Sequence, residues 1–313
     1  MVRKFFVAGG TGFIGSRLLN ALSGKGIPCR CLARSPRSAT LCSLEGVETA
    51  QGDITDRESL RGKLDGCDLV VHLVGIIEEE GRNTFDAVHV KGTENLVDEA
   101  LKAGVKHIFY QSALGASLSS EAKYHRTKAE AEEIVRSSGI PCTIFRPSLV
   151  VGKGDGFTER LRELISLGPV ITVPGTGNTR FQPLYVEDWV RCFFAVFSDA
   201  AENRGEGCSV YEFGGPEQLS YNEIILQLME ALGKNKPLIH IPIALVRAGI
   251  PFQGISQAIG RLTGREIPRV SREQLSLLQR DNICAGDSVE KQFGFAPLRY
   301  REALRLFISL PEA

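Results

Sequence analysis

Two hydrophobic periods alternate along the first half of the chain. Short apolar or β-branched runs stand at 4–8, 28–33, 47–50, 69–73, 107–110 and 142–145. Between them, apolar positions recur every three to four residues at 12–23, 56–64, 93–103 and 123–137. A short apolar run bounded by polar residues fits a strand buried on both faces, and the longer period fits a helix with one buried face. Their alternation predicts β-α-β units, hence an α/β, doubly wound parallel sheet. Right-handed crossovers then bring the C-terminal ends of the strands to one edge, where such sheets hold ligands.

The pattern breaks after Arg146-Pro147. Residues 151–180 are rich in glycine and read as excursions from the sheet, with one helix near 158–165. Strand-like and helical segments return at 183–198 and 208–232. The last eighty residues read as mostly helical, punctuated by Pro237, Pro242, Pro251, Pro268 and Pro297. The expected organisation is a larger sheet domain over residues 1–152, with returning segments at about 181–218. Residues 153–180 and 219–313 would form a smaller, discontinuous, mainly helical domain for substrate or partner. The apolar stretch 237–260 carries His240, Arg247, Pro251 and Gln253, short of the ~20 clean residues of a membrane span. It reads as core of the small domain, with an apolar lid or membrane-facing patch as the alternative.

Composition narrows the function classes. With 37 basic and 37 acidic side chains and 43% apolar residues, the chain is neither disordered nor built to coat nucleic acid. The neutrality is an average over unlike segments. Residues 1–44 carry seven cations (Arg3, Lys4, Arg17, Lys25, Arg30, Arg34, Arg37) and no acid, whereas 45–100 carry fourteen acids against five bases. A local positive field suits an anionic ligand near the N-terminus. Eight cysteines include no C-x-x-C pair, so free thiols in a reducing compartment are expected rather than disulfides or zinc. The two cations and apolar run at the start pass straight into glycines, unlike a signal sequence.

Those glycines are the clearest motif. Gly9-Gly10-Thr11-Gly12-Phe13-Ile14-Gly15 follows the first strand and opens the first helix. It satisfies G-x-G-x-x-G in the context that makes the pattern informative. Backbone N–H groups can approach a pyrophosphate at the positive end of the helix, and Gly15 lets that helix pack closely. An acid about 20 residues on would mark NAD preference, but 31–37 reads Cys-Leu-Ala-Arg-Ser-Pro-Arg without a carboxylate. Arg34 could pair with a ribose 2′-phosphate, so NADP(H) is favoured, with NAD(H) the alternative.

With these residues the chain resembles the extended and atypical short-chain dehydrogenases/reductases, of NAD-dependent epimerase/dehydratase type, over nearly its whole length. The landmarks are Gly9–Gly15, Gly52-Asp53-Ile54, the 70–75 run ending Leu73-Val74-Gly75, Tyr110-Gln111-Ser112-Ala113, Tyr124-His125-Arg126-Thr127-Lys128, Arg146-Pro147-Ser148 and Tyr185-Val186-Glu187-Asp188. The resemblance implies a Rossmann domain in which Asp53 and Ile54 meet adenine, Leu73, Val74 and Gly75 line the ribose, and Pro147 and Ser148 border the cofactor. It implies hydride transfer at a carbonyl or hydroxyl carbon of a small molecule.

Tyr124 and Lys128 are spaced i, i+4 and share a helix face. An ammonium nearby would lower the phenol pKa and let Tyr124 exchange a proton with substrate. Ser112 would hydrogen-bond the same substrate oxygen. Arg180 corresponds to an arginine that meets a substrate phosphate in sugar-nucleotide epimerases, with capping of the Glu187/Asp188 region as the alternative. His72 reads as a core histidine, and Asp188 as a residue at a helix start. One departure stands out: His89-Val90-Lys91-Gly92-Thr93 has histidine where the family often has asparagine, which puts the usual proton relay in doubt.

Among subgroups, 175–183 (Gly-Thr-Gly-Asn-Thr-Arg-Phe-Gln-Pro), 185–188 and Ser271-Arg272-Glu273-Gln274-Leu275 with Leu278 and Asp281-Asn282 resemble the nucleotide-binding accessory subunit of respiratory complex I and its bacterial relatives. That likeness implies tightly held NADPH in a protein linked to an NADH:quinone oxidoreductase or quinone metabolism. A cytoplasmic location follows, with peripheral contact at the inner membrane face or a respiratory complex as the alternative.

Overall fold

The computed structural model describes residues 4–40, 42–197, 207–249 and 271–308. The chain divides into two compact units. The first comprises Met1–Pro147, Val186–Phe213 and Glu290–Phe295, and the second Ser148–Tyr185, Gly214–Val289 and Ala296–Ala313.

In the first unit, strands β1 (Phe5–Ala8), β2 (Cys29–Ala33), β3 (Val47–Gln51), β4 (Leu69–His72), β5 (His107–Gln111) and β6 (Cys142–Pro147) are joined by Cys208–Phe213. They form one seven-stranded sheet in the order Cys208–Phe213, β6, β5, β4, β1, β2, β3, and every pairing is parallel. The doubly wound expectation holds. β1 and β4 are buried at every residue, which explains their unbroken apolar runs: helices cover both faces. Helices α1 (Phe13–Gly24), α2 (Pro36–Thr40), α3 (Arg57–Leu60), α4 (Gly92–Lys102) and α5 (Lys123–Ser137) supply much of that cover, with the helix Val186–Phe197.

The predicted helix at 56–64 shrinks to α3. Asp56 caps it by accepting from the backbone of Glu58 and Ser59, and Arg61 leaves helical geometry after one turn. The residues before α4 also depart from a plain helix. Asp86–Lys91 form a π-helical turn in which Gly92 N–H bonds Ala87 O, five residues back. π-helical turns concentrate at functional sites because they re-aim side chains.

One face of the sheet packs Phe6, Val70, Ile108, Tyr110 and Ile144 against Leu96, Ala100 and Val135. Phe109, Phe145, Phe193 and Trp189 form an aromatic cluster with edge-on and stacked rings. Each such ring contributes roughly 1.5–3 kcal/mol through burial alone.

The free-thiol expectation fails at one pair. Cys142 and Cys208 are directly opposite in the parallel ladder and are joined by a disulfide. The register sets their Cα atoms 4.4 Å apart, within bridging range. The other six cysteines are free thiols, five of them buried.

The second unit has its own core of Val151, Ile165, Ile171, Phe181, Ile224, Leu228 and Leu304. The helix Gly156–Ser166 is capped by Asp155, and Tyr221–Ala231 by a Ser220/Glu223 capping box. Leu238–Ile241, expected as core in a mostly helical tail, is a strand paired in parallel with Ile171–Pro174. From 237 to 248 no residue is fully buried, and Leu238 packs half-buried against that core; 250–260 lie outside the described residues, as does Pro268. Among the described residues no helix is long and apolar enough to cross a membrane.

Candidate functional site

The glycine loop takes the conformation its sequence demands. Gly9 has φ +89°, a region side chains disfavour. Gly12 donates its N–H to Gly9 O at 3.0 Å and sits extended as the N-cap of α1. A Cβ on Gly15 would lie 2.1 Å from Gly9 O, so close packing of α1 against the loop requires glycine there. No side chain caps α1 and no acid lies in its first turn. A helix start of this kind can take an anion such as a pyrophosphate on its first N–H groups. Thr11, Phe13 and Ile14 are half-buried around it, and Cys31 Sγ fills the space a Cβ on Gly10 would need.

The turn after β4 lies beside this loop. Leu73 N–H bonds Ala8 O at 2.9 Å, and a Cβ on Gly9 would meet the Leu73–Val74 backbone at 3.0 Å. Leu73 and Val74 are half-buried and Gly75 is exposed. Helix α5 approaches from the other side. The Lys128 ammonium, 3% exposed, donates to Gln111 O at 2.8 Å and would stand 3.0 Å from a Cβ on Gly75. Glycine at 75 thus makes room for Lys128. The Tyr124 ring packs edge-on against His89 and Phe85.

Comparison with known proteins decides what this assembly belongs to. Residues 5–211 match the model of the NAD dependent epimerase/dehydratase family. The chain belongs to that family. Among curated relatives it is 28% identical to the mitochondrial NADH dehydrogenase [ubiquinone] 1 alpha subcomplex subunit 9 of Arabidopsis thaliana over 77% of this chain, and spans 61% of that protein's length. It is 27% identical to a 3 beta-hydroxysteroid dehydrogenase/Delta 5→4-isomerase of Mycobacterium tuberculosis, covering 99% of this chain and 91% of the relative. A solved dTDP-glucose 4,6-dehydratase from Streptomyces venezuelae shares the fold, with a TM-score of 0.71 at 20% identity over 97% of this chain and 95% of that one.

For this epimerase/dehydratase-family chain, the structure places the remaining expected residues unevenly. Arg34 is exposed directly after β2. Asp53 Oδ1 accepts from both the N–H and hydroxyl of Thr55, at 2.9 and 2.8 Å. Ile54 is 3% exposed; its carbonyl accepts from Asn95, and its side chain fills the gap left by Gly92. Pro147 ends β6, and its carbonyl accepts from Leu114. Ser148 and Arg180 belong to the second unit. Ser148 Oγ lies 2.7 Å from both the carbonyl and side-chain oxygens of Asn282. Arg180 is paired with Asp281 at 2.8 Å and also reaches Gln218. Asp188 sits in the first turn of its helix and pairs with Arg191.

Two expectations about proton chemistry change. Burial pushes the Tyr124 phenol up to about 12 rather than down, and pushes the Lys128 ammonium down to about 7, with Glu132 opposing. At Lys128, 3% exposed, desolvation outweighs the attraction of Glu132; Tyr124 is half-buried, and packing around its ring disfavours the charged phenolate. Ser112 is buried with no well-formed hydrogen bond on its hydroxyl, yet it lies near enough to Glu132 to help hold that carboxylate ionised.

Sequence reasoning missed the supporting residues. Gln111 accepts Lys128 on its carbonyl and the Trp189 indole on its side chain, at 3.0 Å. Thr93 and Thr127 join buried histidines: His72 Nε2 lies 2.9 Å from Thr93 Oγ1, and His89 Nδ1 lies 2.9 Å from Thr127 Oγ1. The signal available in the sequence was spacing: Thr93 is i, i+4 from His89, and Thr127 is i, i+3 from Tyr124.

Proposed function

We propose that this chain is an NADP(H)-dependent oxidoreductase acting at a carbonyl or hydroxyl carbon of a small molecule. The observation that carries the reading is Lys128, a buried ammonium set against Gly75 and held by Gln111 O, one helical turn from Tyr124. The residues present fit a dinucleotide: α1 has an uncapped N-terminus, and Gly15 cannot bear a side chain. Gly9, Gly10, Thr11, Gly12, Phe13, Ile14 and Gly15 would hold the pyrophosphate, Leu73, Val74 and Gly75 the ribose, and Arg34 a 2′-phosphate. When bound, the reduced nicotinamide supplies a hydride. A phenol that keeps its proton at neutral pH suits the reducing direction: Tyr124 donates its proton to the oxygen of a carbonyl substrate as the carbon gains the hydride. Lys128 orients the ribose and stabilises the tyrosinate that remains. Ser112 steadies the substrate oxygen, and Arg180, if released from Asp281, meets an anionic substrate group.

Purified protein should carry or bind NADPH and oxidise it with a panel of carbonyl compounds. Tyr124→Phe is expected to lower turnover by at least about a hundredfold while leaving NADPH binding unchanged. Unaltered turnover in that variant sinks the catalytic reading.

The second reading is a non-catalytic NADPH-binding accessory or assembly protein of a respiratory NADH:quinone oxidoreductase. The likeness to the plant NADH dehydrogenase subunit favours it. Tight NADPH without turnover on any carbonyl, and co-purification with that enzyme, would establish it.

A further inference from the structure

His89 is buried on the inner side of the turn before α4, and its hydrogen bonds fix its state. Ile76 N–H donates to His89 Nε2 at 3.1 Å. A backbone amide can only donate, so Nε2 must present its lone pair. The proton of the neutral ring is then on Nδ1, which faces Thr127 Oγ1 at 2.9 Å. Thr127 has one hydroxyl proton, and the carbonyls of Lys123 and Tyr124 lie 2.9 and 3.2 Å away to accept it. Every donor in this chain meets an acceptor in one arrangement only: Ile76 N–H to Nε2, Nδ1–H to Thr127, Thr127 hydroxyl to α5. A second proton on Nε2 would confront the Ile76 amide donor to donor. The groups around the ring agree. Tyr124 and Phe85 present aromatic rings, and burial first, then the neighbouring Lys128 and His72, disfavour a positive charge on the ring.

The placement is specific. The π-helical turn Asp86–Lys91 sets His89 among the buried residues at its inner face, 1% exposed. Its ring spans from the segment just past Gly75 to the residue preceding Lys128. Thr93 braces it from behind, donating to His89 O at 2.5 Å while His72 Nε2 meets the same hydroxyl.

We propose that His89 is a positioning residue: a permanently neutral imidazole, protonated on Nδ1, that bridges the turn after β4 to α5 and so fixes the spacing between the Leu73–Gly75 ribose turn and the Tyr124/Lys128 face. The proposal rests on the functional reading above for what that spacing serves. It replaces a proton-relay role at this position with a mechanical one, because a ring locked by an amide donor on one side cannot pass a proton through.

The first test reads the ring itself. Long-range proton–nitrogen correlation spectra of the full chain, labelled on histidine and assigned against His89→Asn, should show His89 with Nε2 unprotonated and Nδ1 protonated. The pattern should hold unchanged between about pH 5 and pH 8, across the range in which an ordinary histidine titrates. An Nε2–H pattern, or titration within that range, overturns the proposal. These signals report the bridge whatever Tyr124 does, whereas Tyr124→Phe turnover reports the catalytic reading whatever His89 does.

The second test uses Thr127, which can be altered without touching the histidine. Thr127→Val keeps the shape and removes the acceptor. It should weaken binding of NADPH and NADH alike by about tenfold, the worth of one well-made hydrogen bond. Thr127→Ser should restore both affinities. Equal affinity in Thr127→Val and Thr127→Ser overturns the bridge as a positioning device.

Discussion

Lys128 donates to the carbonyl of Gln111 from a position almost closed to solvent, 2.8 Å away. Burial holds its pKa at about 7, well below the ordinary 10.5. Below pH 7 the group is charged in both folded and unfolded chains, and the burial penalty is fully present. Between about pH 7 and 10.5 the unfolded chain binds the extra proton, so this residue makes stability rise with pH over that window. Lys128→Met should abolish that contribution. Thermal unfolding from pH 6 to 10 is expected to show the variant's advantage over wild type shrinking as pH rises. A difference that is flat with pH would refute the buried-ammonium description.

Arg34 offers the simplest test of cofactor choice. It is exposed directly after β2, and no carboxylate occupies 31–37. Arg34→Asp is expected to weaken NADPH binding by at least about tenfold, as the loss of a charge-assisted contact implies, and to leave NADH binding equal or improved. Titration of both cofactors by fluorescence checks it. A parallel loss for NADPH and NADH would assign Arg34 to general anion attraction instead.

Glu132 anchors the far half of α5 to the sheet. Its carboxylate, 1% exposed, takes a bidentate contact from Arg146 at 2.7 and 2.5 Å, with Arg136 at 3.2 Å. Arg146 also reaches Glu212 at 2.8 Å. Removing Arg146 leaves the buried carboxylate with the half-buried Arg136 alone, and loss of a buried partner costs up to about 3–5 kcal/mol. Arg146→Met should therefore destabilise far more than the double variant Arg146→Met/Glu132→Leu, in which no lone charge remains. Denaturant unfolding of the two variants decides it; equal losses would mean that packing, not charge, governs the site.

The sequence made some of this legible and hid the rest for identifiable reasons. β1 and β4 were visible because both faces are buried and the apolar runs are unbroken. The α5 boundaries, 123 and 137, were read correctly because its amphipathic period runs the whole length. The π-helical turn at Asp86–Lys91 was invisible, since one six-residue segment barely alters a 3.6-residue pattern. The strand Leu238–Ile241 was missed because so short a segment, Leu-Ile-His-Ile, fits strand or helix equally, and its partner Ile171–Pro174 is distant in sequence. Within the site, Tyr124 and Lys128 were found by spacing. The direction of their pKa shifts was not, because desolvation depends on what surrounds a group and not on which residues flank it. Asp281, the partner of Arg180, lies 101 residues away, beyond any local signal.

The same blindness to long-range register underlies the disulfide. Cys142 and Cys208 are 66 residues apart in the chain yet directly opposite in the ladder between β6 and Cys208–Phe213. A cross-link closing a loop of that length stabilises a fold by roughly 2–4 kcal/mol, chiefly by restricting the unfolded chain. Of the eight cysteines, six are free thiols. Protein denatured without reductant should therefore titrate six thiols, and reduced protein eight. Reduction should lower the denaturant midpoint by an amount matching that stabilisation, and Cys142→Ala/Cys208→Ala should behave as reduced wild type and be insensitive to reductant. Eight reactive thiols without reductant would restore the reading in which every cysteine is free.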